Sequence, residues 1–123
     1  MKKTINYGKQ SIDETDIRSI TKVLSGDFIT QGPLINGFED KLKLHFGSDY
    51  ACVLANGTAA LHLTAIAMGW DSDDVILTTP ISFLATSNCI EYVGARTQFC
   101  DINLDSYNID PNSITDNIKL LRK

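Results

Sequence analysis

Asn56-Gly57-Thr58 lies between an apolar run that begins at Tyr50 and a nearly uncharged run of helix formers that reaches Trp70. The first turn of a helix has amide N–H groups without intrahelical partners and carries about half a positive charge. Glycine lets a ligand come close to the backbone, and the Thr58 hydroxyl adds a donor. Together these residues can cradle a phosphate. The same tripeptide also reads as a tight strand-to-helix turn with Thr58 as N-cap and no ligand. It is neither a P-loop nor a GxGxxG fingerprint, because it lacks both the GK[ST] ending and the glycine pair. A second candidate is Phe83, in Thr79-Pro80-Ile81-Ser82-Phe83-Leu84-Ala85-Thr86. This segment follows another apolar run, which places Phe83 at the same edge of a parallel sheet as Thr58. Its ring could stack on a flat ligand, worth about 0.5–1.5 kcal/mol beyond its buried area, or anchor the next helix from the core. A cradle and a platform at neighbouring strand ends suit a phosphorylated aromatic cofactor. Pyridoxal 5'-phosphate (PLP) fits that description, and so does a nucleotide.

Other chemistries have less support. Cys52, Cys89 and Cys100 form no CxxC pair and each lies in an apolar stretch. They are expected to be small buried hydrophobes in a reducing compartment. His45 and His62 have no partner at metal-ligand spacing, so no metal site is expected. With 123 residues, 43% hydrophobic and 21% charged, the composition is that of an ordinary soluble chain. The net charge of −4 comes from interspersed acids and bases, which argues against a nucleic-acid or anionic-membrane partner. Met1-Lys2-Lys3 is followed by polar residues, so no secretion signal is read. No uninterrupted apolar stretch reaches the roughly 18 residues a membrane span needs. A cytoplasmic location is expected.

The elements that must position these residues are legible from caps and periodicity. Ser11-Ile12-Asp13-Glu14 fits a capping box. Ile17, Ile20 and Leu24 then recur at helical spacing, with Gly26 available for a left-handed stop. After the loop Asp27-Phe28-Ile29-Thr30-Gln31-Gly32-Pro33, the residues Ile35, Phe38, Leu42 and Phe46 mark the inward face of a second helix closed by Gly47. Strands and helices then alternate. Strands are predicted at Tyr50–Leu54, Val75–Thr79 and Thr97–Ile102. Helices are predicted at Thr58–Met68, which is apolar nearly all round and hence buried, Ala85–Val93 and Ser113–Leu121. Helices between strands imply parallel pairing. The fold class is α/β: two leading helices, then βαβαβ with a mainly parallel sheet. Residues 1–48 form the N-terminal helical segment and 49–123 the first part of the α/β domain. Three strands are few for a sheet covered on both faces, so the chain reads as the first part of something larger. A sheet edge left open there would favour poor solubility or aggregation.

Five blocks in order carry a resemblance: "YGKQSIDETDI", "VLSGDFITQGPLINGFEDKL", "NGTAALHLTAIAMG", "VILTTPISFLATSNCIEYVGA" and "DINLDSYNID". They resemble the opening of the DegT/StrS family of sugar aminotransferases, fold type I PLP enzymes, from Ile5 to about Ile114. Within the family they look most like the transaminases acting on UDP-linked 4-keto-6-deoxy amino sugars. The resemblance implies the N-terminal part of a PLP-binding large domain. Gly57 and Thr58 would donate to the cofactor phosphate and Phe83 would stack on its ring. Tyr7, Asp27, Ile29, Thr30 and Gly57 would meet the nucleotide sugar. Asn56 stands where serine is frequent, and Ile29 where leucine is frequent. Asp101 matches a familiar position at a strand end, and is read as a cap of the following turn.

The implied reaction moves an amino group, from glutamate, to C4 of a UDP-linked keto-sugar in surface-glycan biosynthesis. The implied assembly is a homodimer with sites at the subunit interface, to which the leading helices and the Thr30 loop would contribute. The Schiff-base lysine, the acid that pairs with the pyridine nitrogen and the small C-terminal domain fall beyond this sequence. Lys119 and Lys123 match no catalytic motif, so no catalytic residue is assigned and the chain alone is expected to be silent. The alternatives are a PLP-dependent sugar dehydratase on the same scaffold, with histidine for the lysine, and a non-catalytic truncated gene product.

Overall fold

A computed structural model describes residues 8–122. The elements run α1 (Glu14–Leu24), α2 (Pro33–Phe46), α3 (Gly57–Ala67), β1 (Val75–Thr78), α4 (Ala85–Glu91), β2 (Arg96–Phe99) and α5 (Pro111–Leu121). The chain divides between Val53 and Leu54 into two compact units.

In the first unit, α1 starts two residues later than the Ser11 box suggested. The N-cap is Asp13: its carboxylate accepts the Thr15 and Asp16 amides at 2.7 and 3.1 Å, and the Asp16 carboxylate returns to the Asp13 amide at 3.0 Å. A carboxylate at the cap takes two amides at once and outcompetes the more distant serine. The helix ends through Ser25 in a right-handed conformation, so Gly26 is not the left-handed stop. In α2, Pro33 opens the first turn, where its missing N–H costs nothing, and Gly47 closes the helix in the left-handed region (φ 64°). The expected inward stripes are present but uncovered: Ile17, Ile20, Leu24, Ile35, Phe38 and Phe46 are all exposed, and only Leu42 is half-buried. Amphipathic periodicity orients a face, but burial also needs a layer to cover it.

In the second unit, β1 and β2 pair in parallel from Val75–Arg96 to Thr78–Phe99, with α4 as the crossover. Arg96 N–H to Asp74 O and Cys100 N–H to Thr78 O continue the ladder at 3.0 and 2.7 Å. Cys89, Ile90 and Ala95 form the core, with Trp70, Ile76 and Val93 packed against it. Helix α3 lies on α4, where the His62 and Tyr92 rings meet edge to face at 5.1 Å. The expected strand at Tyr50–Leu54 is not formed. Residues 51–55 have no ladder partner among the described residues, and apolar alternation without a neighbouring edge is not a strand. Nor is α3 buried all round: Ala65 is enclosed, while Leu61, Leu63, Ile66 and Met68 are exposed. Cys89 and Cys100 are buried as expected, but Cys52 is exposed.

Candidate functional site

The start of α3 differs from the Thr58-capped turn. Asn56 is the N-cap, its backbone extended (φ −167°), and its Oδ1 accepts the Ala59 N–H at 2.8 Å. The helix therefore begins at Gly57. No hydrogen bond among the described residues takes the Gly57 or Thr58 amide or the Thr58 hydroxyl. A Cβ built on Gly57 would meet nothing within 4 Å among the described residues beyond its own turn. Two adjacent amides, a free hydroxyl and the positive end of an eleven-residue helix suit a phosphate dianion. The missed residue is Asn56. Its signal was available, since asparagine is among the strongest N-cap residues.

Phe83 sits just ahead of α4 and is 77% exposed, so it is not a core anchor. It lines a small cavity of about 170 Å³ with Phe99, Thr79, Ser82, Thr86 and Ser87, among others. The Ser82 and Thr86 hydroxyls are 2.9 Å apart. Among the described residues no charged side chain lines this cavity, and neither Gly57 nor Thr58 reaches it. Phe99 was not expected there. It follows from the register, which sets Phe99 beside Thr78 at the carboxyl ends of β1 and β2.

Asp27, Ile29 and Thr30 line one cavity of about 880 Å³ in the first unit, together with Ser19, Lys22 and Gln31 and the apolar Ile20, Phe28 and Ile35. Gln31 holds a positive φ of 53°. Gly32 has no room for a side chain, because an added Cβ would lie 2.8 Å from Phe28 Cβ. The loop thus has a built shape, with one cation (Lys22), one anion (Asp27) and several neutral hydrogen-bonding groups. Gly57 does not line this cavity, and Tyr7 lies outside the described residues. Asp101 is committed locally. Its carboxylate accepts the Ile102 amide, its own amide donates to Ser113 Oγ at 2.8 Å, and its carbonyl accepts from Asp110. Among the described residues no cluster of histidine, cysteine or carboxylate side chains could hold a metal, and no helix is long and apolar enough to cross a membrane.

Comparison with known proteins gives this geometry a context. The model of the DegT/DnrJ/EryC1/StrS aminotransferase family matches residues 10–123. A UDP-4-amino-4,6-dideoxy-N-acetyl-beta-L-altrosamine transaminase of Campylobacter jejuni is 40% identical over 110 residues, covering 89% of this chain and 29% of that protein. The spore coat polysaccharide biosynthesis protein SpsC of Bacillus subtilis is 32% identical, over 85% of this chain and 27% of its own length. Among solved structures, the PLP form of a protein described as a sugar aminotransferase from Streptococcus pneumoniae superposes with a TM-score of 0.85. It is 25% identical over 91% of this chain and 29% of its own. The GDP-4-keto-6-deoxy-D-mannose-3-dehydratase of E. coli, with bound hydrated PLP, superposes at 0.81 and 26% identity, over 93% and 31%. The chain spans less than a third of the length of these relatives.

Proposed function

We propose a function that starts from one plain fact: this chain belongs to the DegT/DnrJ/EryC1/StrS aminotransferase family. Its fold is the α/β architecture of fold type I PLP enzymes. The chain supplies the N-terminal part of a nucleotide-sugar aminotransferase. The whole enzyme moves an amino group from glutamate to C4 of a UDP-linked 4-keto-6-deoxy sugar, in surface-polysaccharide or glycan biosynthesis of the pseudaminic acid kind. It works as a cytoplasmic homodimer.

The observation that carries this reading is the open start of α3, where Asn56 takes the capping duty and leaves Gly57 and Thr58 uncommitted. These two residues hold the PLP phosphate. PLP, when bound, supplies a carbonyl that takes up the amino group and a ring that absorbs the electron pair released on deprotonation. Phe83 offers its exposed face to that ring. Asp27, Ile29 and Thr30, with Tyr7 and the Gly57 backbone, meet the nucleotide sugar. Among the described residues no lysine lines the cavity beside Phe83, so none of them offers an amine there for proton transfer. By itself the chain is expected to be catalytically silent.

The test is a titration with pyridoxamine 5'-phosphate, whose amine form does not condense with surface lysines. Binding should be phosphate-dependent, and Thr58→Ala and Phe83→Ala should each weaken it about tenfold. Equal binding of pyridoxamine, or indifference to both substitutions, would overturn the reading. Turnover of PLP, glutamate and keto-sugar by the chain alone would contradict its silence. A PLP-dependent sugar dehydratase is a second reading, favoured by the likeness to the E. coli enzyme. Loss of a sugar hydroxyl without net amino transfer by the enzyme that includes this chain would select it.

A further inference from the structure

We propose that Asn56-Gly57 is a site of spontaneous covalent modification, at which Asn56 deamidates through a cyclic imide. The Gly57 backbone nitrogen attacks Asn56 Cγ, a new N–C bond closes the ring, and the Cγ–Nδ2 bond breaks. The Gly57 nitrogen gives up its proton and Nδ2 leaves as ammonia. Water then adds to either imide carbonyl and opens the ring to aspartate or isoaspartate. Water is the only co-reactant, and the chemistry needs no ligand at α3.

The junction ahead of α3 allows this closure. The attacking nitrogen is uncommitted, since among the described residues nothing accepts the Gly57 N–H. Asn56 Nδ2 likewise has no hydrogen-bond partner among them, while Oδ1 accepts the Ala59 N–H at 2.8 Å and so polarises the carbonyl under attack. Gly57 has no Cβ to obstruct the ring, and both residues are exposed. Closure turns Asn56 out of its extended conformation (φ −167°, ψ 170°). It gives up the bonds from Ala59 to Oδ1 and from Ala60 to the Asn56 carbonyl. Loosening at an exposed helix end lies at the low end of local opening free energies.

A second pair with the same chemistry, Asn36-Gly37, provides the comparison. It lies inside α2, where the Gly37 N–H is committed to the Pro33 carbonyl by the helix ladder. Turning Asn36 would break that helix within its length rather than at its edge. Both asparagines are exposed, so access to water does not separate them. Every other asparagine is followed by a residue that carries a Cβ. The two products differ for α3. Aspartate keeps an acceptor at the cap and adds a favourable negative charge, whereas isoaspartate lengthens the main chain by a carbon and withdraws the cap.

Incubation of the whole chain in native, near-neutral buffer tests the site. Peptide mass spectrometry reads each asparagine, chromatography separates aspartate from isoaspartate, and the urea-unfolded chain gives the intrinsic rate of each pair. Relative to that rate, native Asn56 should convert at least about tenfold faster than native Asn36. A Cβ at Gly57 would meet nothing within 4 Å among the described residues beyond its own turn. Gly57→Ala should therefore keep its helical circular dichroism while conversion at Asn56 falls about tenfold or more. Native Asn56 that stays an amide while the unfolded chain converts there overturns the proposal. So does relative conversion at native Asn36 that matches Asn56, or an unchanged rate in Gly57→Ala.

Discussion

Replacing Asn56 with alanine removes the acceptor of the Ala59 amide at the start of α3. The expected loss is about 1 kcal/mol of stability, with Asn56→Ser or Asn56→Asp retaining most of it, as read from thermal unfolding. A larger loss from Thr58→Ala than from Asn56→Ala would return the cap to Thr58. At the other end of the chain, Asp13 titrates below the usual carboxylate range, first because the Asp16 amide donates to it and then because the Thr15 amide does. The sign follows from that lowering. Its stabilising contribution is present above the unfolded value of about 3.8 and is lost as pH falls through the lower folded value. An acid titration followed by helical circular dichroism should show α1 loosening in that window. Asp13→Asn, which keeps an acceptor but cannot titrate, should remove the transition.

At the scale of elements, α5 is held to β2 by a polar latch. Gln98 Nε2 donates to Asn117 Oδ1 at 2.7 Å, while Asn117 Nδ2 donates to the Ser113 carbonyl at 2.9 Å and approaches Cys100 Sγ at 3.5 Å. Ser113 Oγ accepts the Asp101 amide, so the latch spans the loop between strand and helix. Asn117→Ala leaves the half-buried Gln98 amide only its longer bond to the Phe99 carbonyl (3.4 Å) and should cost about 1 kcal/mol. A urea titration should show a lower midpoint at unchanged slope. An unchanged midpoint would mean that apolar contacts alone dock α5. The expected helix over Ser113–Leu121 captured the element but not this role, because the partners of Asn117 come from another element. Elements with local punctuation were easier. Gly47, Gly69 and Gly94 all adopt positive φ where helices were expected to stop, since a left-handed residue after a helix is a short-range requirement.

For the molecule as a whole, the balance between apolar content and burial decides behaviour. Neither α1 nor α2 contains a buried residue, and the enclosed hydrophobics of the second unit are Ala65, Ala85, Cys89, Ile90, Ala95 and Cys100. Most of these are small, while Leu61, Leu63, Ile66, Met68, Phe83 and Leu84 remain exposed. A core of that size offsets little of the ordering entropy. The isolated chain should therefore bind the dye ANS in native buffer and unfold over a broad range. Leu63→Gln with Ile66→Gln on α3 should reduce dye binding with little loss of stability. A sharp unfolding transition without dye binding would contradict this account.

Read alone, the sequence determined what depends on near neighbours: the α/β class, the two leading helices, the parallel β1–α4–β2 unit, the stops at Gly47, Gly69 and Gly94 and the junction at Asn56-Gly57-Thr58. Each follows from caps, periodicity and turn chemistry acting over a few residues. Tertiary structure alone decided whether residues 50–54 pair, whether the stripes of α1, α2 and α3 are covered, and that Cys52 faces outward. It also brought Phe99 and Phe83 to one cavity. Pairing and burial are properties of two surfaces, and a single strand's or helix's residues specify only one of them.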